Sequence, residues 1–312
     1  MSVPASKHRS WRQVFWITLT AAALYFAVRL LPTGTNLSHM DFRPGGSSVE
    51  FCDPANPQFI PVVMVRSPVE MTLVSEGEVL AWREVRVVAT LKTATGKLIG
   101  PEDLLVAHTQ KLHLLVIDPT LGDYQHLHPL PGKKAGEWAF VFTPRRAGVY
   151  RIFADFTPAA TARGLYASAE LKVDAVDGID VPVGIGGETI ATASNRTYEN
   201  LGYTFELQTA AESVKAGQMM DLVFTVKRRD GGIVSLEPVM GAFAHLVAFD
   251  SGRSGYAHLH PNETDLTRAL DPRQPRLTFK LTIPRAGRYV IWSQVKLEGR
   301  EVFAPFWFEV VP

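Results

Sequence analysis

The sequence predicts an all-β chain: two tandem antiparallel β-sandwiches standing behind one N-terminal transmembrane helix. Three observations carry that expectation. A stretch occurs twice, HLLVIDPTLGDYQHLHP at residues 113–129 and HLVAFDSGRSGYAHLHP at residues 245–261, with equal internal spacing. Short alternating apolar runs bounded by Gly and Pro turns fill most of the chain, with almost no helical periodicity. Near the N-terminus a single long apolar run, residues 14–31, is interrupted only by Thr18, Thr20 and Arg29.

Length and charge set the outer bounds. A chain of 312 residues with 46% hydrophobic side chains can bury two cores of ordinary size. Its net charge is +1, with 32 basic and 31 acidic residues well mixed, which excludes the electrostatic footprint of a nucleic-acid binder.

Residues 1–12 carry Lys7, His8, Arg9 and Arg12 and read as a cytoplasmic tail, because no acid follows until Asp41. Residues 13–31 read as an uncleaved transmembrane anchor, with Arg29 snorkelling and Trp11, Trp16 and Tyr25 at interfacial positions. A cleaved signal peptide is the rival, but no Ala-x-Ala site follows the run. This places the chain in a bacterial inner membrane as a single-pass protein, its C-terminal bulk in the periplasm. Residues 32–68, rich in Pro, Gly and Ser, read as an extended stalk with little core of its own. Cys52, the one cysteine, precludes an intrachain disulfide. It reads as a bystander thiol, or as a soft ligand beside His39 and Met40.

The first sandwich is expected over residues 69–176. VEMTLV puts Val69, Met71 and Leu73 on one face, VRVVATL is β-branched, and HLLVID, the HLHP return, WAFVF, VYRIFADF and YASAELKV complete the set. Residues 177–197 read as a linker, and residues 198–312 repeat the module. Pro144 and Gly148 match Pro284 and Gly287, Tyr150 matches Tyr289, Phe153 matches Trp292, and Asp155 matches Gln294.

Six of the nine histidines fall inside the two repeated stretches, and a seventh, His108, lies five residues before the first. Residues two apart in a strand share a face, so His126 projects with His128 and His258 with His260. If the hairpin centres between Thr120 and Leu121, His113 lies opposite His128; a slip of one residue puts them on opposite faces. Both registers are open, and the equal spacing applies one answer to both modules.

Converging imidazoles suit copper, with zinc second. The candidate ligands are His108, His113, His126 and His128 in the first module and Met240, His245, His258 and His260 in the second. Met240 occupies the place of His108, so the first site would be all-nitrogen and the second would add a thioether, which favours Cu(I). The bland alternative is that these histidines hydrogen-bond neighbouring backbone or the turn Asp. Asp118 and Asp250 read as turn residues. HExxH, CxxC, P-loop and GxGxxG motifs are absent from the sequence, and a non-enzymatic binding protein is expected.

At the HLHP stretches and the following PRRAGVYRIFADF and PRAGRYVIWSQV, the chain resembles the bacterial envelope modules called YtkA-like, neighbours of the FixH-like and CopC sandwiches. The resemblance covers both modules. It implies an immunoglobulin-like fold and a copper link, although the CopC site uses the mature N-terminus, which the anchor would place across the membrane. The competing function is a structural subunit of a larger respiratory or photosynthetic membrane complex, its sandwiches docking protein partners.

Overall fold

A computed structural model describes residues 6–29, 37–42, 57–65, 67–176, 195–210 and 213–312. Cys52 and nearly all of the expected linker lie outside the described residues. The chain divides into two compact units, Met1–Asn36 and Leu37–Pro312.

The first unit holds the helix α1, Ser6–Arg29. The membrane anchor expected over residues 13–31 is overturned, and with it the inner-membrane placement. Among the described residues no helix is long and apolar enough to cross a membrane. Residues 11–27 are the part of the helix whose side chains are described. They carry Arg12, Gln13, Thr18 and Thr20, so the apolar stretch is broken at its start and in its middle.

The second unit is mostly β and contains the two repeats. The principal strands of the first repeat are β1 (Val69–Ser75), β2 (Val85–Thr93), β3 (Leu112–Ile117), β4 (Tyr124–Leu127), β5 (Glu137–Phe142), β6 (Gly148–Pro158) and β7 (Leu165–Val173). Those of the second are β8 (Thr197–Asn200), β9 (Tyr203–Thr209), β10 (Met219–Arg228), β11 (Ala244–Asp250), β12 (Tyr256–Leu259), β13 (Arg276–Thr282), β14 (Gly287–Leu297) and β15 (Arg300–Val311). In the first repeat, one sheet runs β1-β2-β5 and the other β7-β6-β3-β4. The second repeats the plan as β8-β9-β10-β13 and β15-β14-β11-β12.

Alternation explains each core. Val85, Val87, Ala89 and Leu91 of β2 face Leu112, Leu114 and Val116 of β3 and Tyr150, Ile152 and Ala154 of β6. In the second repeat Leu222, Phe224 and Val226 of β10 meet Ala244, Leu246 and Ala248 of β11 in the same way. Each repeat is thus β-sandwich-like with its own core.

The other faces of β3 and β11 are buried as well, which is why HLLVI and HLVAF read as continuous apolar runs. Leu115, Ile117, Tyr124 and Phe153 from the first repeat pack with Val247, Phe249, Tyr256, Val290 and Trp292 from the second in a third core between the modules. The packing is reciprocal. Tyr124 lies 5.9 Å from Trp292, ring centre to ring centre, and the equivalent pair Tyr256 and Phe153 lie 5.3 Å apart. The carbonyls of equivalent residues Leu121 and Arg253 each accept a bond from the opposite module, from Trp292 Nε1 at 3.1 Å and Arg151 Nη1 at 2.6 Å.

Parts of the expected stalk belong to these cores. Leu37 and Phe42 are buried in the first module, and Phe59 in the second. Ile60 pairs with Tyr256 at the edge of β12, exchanging backbone bonds of 2.8 and 3.1 Å. The chain passes so close there that a Cβ on Gly255 would lie 1.8 Å from the Ile60 carbonyl oxygen.

Candidate metal centre

β3 and β4 pair with Leu114 opposite Leu127 and Leu115 opposite His126, and continuing that register sets His113 opposite His128. β11 and β12 pair identically, Leu246 opposite Leu259 and Val247 opposite His258, which sets His245 opposite His260. Of the two registers the sequence permits, this one brings all three imidazoles of each copy to one face. The opposed rings lie 5.0 Å apart in the first module and 4.8 Å in the second. Asp118 and Asp250 are occupied at the turns, where they accept backbone N–H bonds from Gly122 and Asp123, and from Ser254 and Gly255.

Two triads result, His113, His126 and His128, and His245, His258 and His260; the ligand atoms of each lie within 4.8 Å of one another, so each could hold a metal ion. Because the triads line the inter-module face, they form one cluster. His126 and His258 are 5.1 Å apart by ring centres, His113 and His258 5.6 Å, and His126 and His245 6.1 Å.

Partners from the opposite module orient the rings. Asp155 stands opposite His113 in its sheet but reaches His258, with Nδ1 to Oδ2 3.2 Å. Gln294, the equivalent residue, stands opposite His245 and reaches His126, with Nδ1 to Oε1 2.8 Å. Gln294 Nε2 donates to Glu301 at 2.8 Å, which fixes its amide with the oxygen toward His126. His113 Nε2 donates to the Ala107 carbonyl at 3.0 Å.

These bonds set the tautomers. A neutral imidazole has one N–H, and in His126 it is spent on Gln294 and in His113 on Ala107. The nitrogens left over, His113 Nδ1 and His126 Nε2, are both lone-pair atoms, yet they sit 3.1 Å apart. Two acceptors at that distance repel one another unless a proton or a cation lies beside them. A proton is opposed by burial, which lowers His113 to about 4 and drives His126 well below its ordinary value, each with further repulsion from neighbouring histidines. Burial likewise lowers His128 to about 4 and His260 to about 3, and depresses His245 and His258 strongly. In the second triad both nitrogens of His245 and the Nε2 atoms of His258 and His260 are buried without a hydrogen-bond partner, as is His128 Nε2 in the first. Leaving so many polar atoms unsatisfied is costly unless a ligand takes them.

His108 and Met240 occupy matching turns. In 107–110 and 239–242 the end residues exchange two backbone bonds, and His108, Thr109, Met240 and Gly241 all have positive φ. These are the mirror-image turns that suit a twisted hairpin. His108 was expected with the first triad. Its ring instead stacks on His260 of the second at 3.5 Å and 13°, while His113 is 6.4 Å away. The turn carries it across the module boundary, where the Thr109 methyl lies 3.6 Å from the position of a Cβ on Gly241. Met240 is half-buried.

Sequence reasoning did not assign Asp155, Gln294 or Glu301. The signal was present: Asp155 and Gln294 are polar residues at matched positions of two largely apolar strands. Asp155 is raised to about 7 by burial, opposed by a hydrogen bond from Tyr256.

No curated protein matches this sequence. Among solved structures, a DUF4785 family protein from Legionella pneumophila subsp. pneumophila str. Philadelphia 1 is similar at 8% identity and a TM-score of 0.25, over 75% of this chain and 56% of that one. The chain therefore spans little more than half the length of that structure. The model of a domain of unknown function, DUF8832, matches residues 67–173 and again 197–312, and the chain belongs to that family, carrying its domain twice.

Proposed function

We propose that this protein binds copper in the histidine cluster between its two modules, and that it binds rather than catalyses. The observation that carries the reading is the 3.1 Å approach of His113 Nδ1 to His126 Nε2, both lone-pair atoms. An ion in the first triad satisfies that contact, and an ion in the second satisfies its unpartnered nitrogens. Ligating histidines characteristically donate their other ring N–H to a carboxylate, amide or backbone carbonyl, as His113, His126 and His258 do here.

The donor set argues for Cu(I) over Zn(II). Both accept imidazole, but each triad offers three neutral nitrogens in an apolar enclosure. The anionic groups bonded to the cluster are Asp155 directly and Glu301 through Gln294. Burying a divalent ion with so little countercharge costs far more than burying a monovalent one.

The test is anaerobic incubation of the full-length chain with excess Cu(I) and Zn(II) together, followed by desalting and metal analysis. Retained copper, lost in His258→Ala/His260→Ala, is the expected result. Retained zinc would contradict copper as the ligand, and retention of neither would contradict metal binding.

A further inference from the structure

The two triads are not separate sites that happen to share a chain. Their rings touch across the module boundary at 5.1 to 6.1 Å. The partner that orients a ring of each triad comes from the other module, Gln294 for His126 and Asp155 for His258. A seventh imidazole, His108, leaves the first module to stack on His260 and stands 6.4 Å from His245 and His258 as well.

We propose that the seven histidines form one dinuclear metal centre shared by both modules, in which an ion in either triad weakens binding of an ion in the other. The proposal rests on the metal reading above and deepens it. Like charges held about 6 Å apart at an effective dielectric of about 20 repel enough to weaken the second ion by roughly a hundredfold. Independent sites, however unequal, would show no such effect.

A thermodynamic cycle separates the two cases. Cu(I) affinities are measured by competition with a chromogenic chelator for the full-length protein, for His128→Ala and for His260→Ala. Each variant disables one triad at a half-buried position before proline, leaving the cross-module bonds of His126 and His258 in place. For independent sites, the product of the two variants' dissociation constants equals the product of the wild-type stepwise constants. For a coupled centre, the variants' product is smaller by roughly a hundredfold. Equality would overturn the dinuclear centre while leaving metal binding intact; absence of Cu(I) uptake by the wild type would overturn both.

Discussion

His258 of the second module hydrogen-bonds Asp155 of the first, Nδ1 to Oδ2 at 3.2 Å, and Gln294 returns the same service to His126. Each module therefore orients one imidazole of the other's triad. Asp155→Ala should leave both cores intact and weaken copper binding by about 10- to 100-fold, the usual effect of removing a partner that orients a ligating imidazole. The chelator competition titration reads this, and an unchanged affinity would mean that Asp155 does not position His258.

The cluster also sets how the metal-free protein responds to acid. Histidines whose folded values lie below the ordinary 6.5 bind protons in the unfolded chain first, so their contribution is present above pH 6.5. It is lost as pH falls toward the value of about 4 given for His113 and His128. Asp155, raised to about 7, works in the opposite direction, losing stability as pH rises from 3.8, but one carboxyl is outnumbered by the depressed histidines. Urea midpoints of the metal-free protein should fall from pH 7 to pH 4.5, and copper should flatten the fall by competing with protons. A midpoint that rises over this range would contradict the burial of neutral imidazoles.

The segment entering β12 gives a test of the fold outside the cluster. Gly255→Ala places a methyl against the Ile60 carbonyl, backbone that has little room to yield. A loss of about 1–3 kcal/mol is expected. Thermal melting checks it, and a neutral effect would mean that residues 57–65 do not pack as described.

Thr109 is a β-branched residue at φ 69 in a turn where its counterpart is Gly241 at φ 77. Thr109→Gly should stabilise the protein by about 1 kcal/mol by relieving that backbone strain. The same melting experiment reads the gain.

The repeated strands and their matched positions were legible because a period of two with Gly and Pro punctuation leaves few alternatives. The hairpin register was legible only conditionally, since the turn chemistry around Thr120 and Leu121 admits a slip that burial of Tyr124 and His126 on one face of the return strand excludes. The face-to-face docking of the modules was not read, although the unbroken apolar runs of β3 and β11 record it: a strand buried on both faces has no polar side to alternate with. That omission made one cluster look like two sites and sent His108 to the wrong triad. The membrane span failed for a different reason, since hydropathy of a run says little about whether the helix it forms is long and clean enough to cross.

Buried imidazoles converge between the modules, and the proposed function is copper binding there. Its most direct test is anaerobic titration of the metal-free, full-length chain with Cu(I) at neutral pH, beside a His126→Ala/His258→Ala variant whose folding is checked by circular dichroism. Two equivalents captured by the wild type against a competing chelator, with none captured by the folded variant, is the predicted result. Equal capture by the two proteins, or none by either, would contradict it.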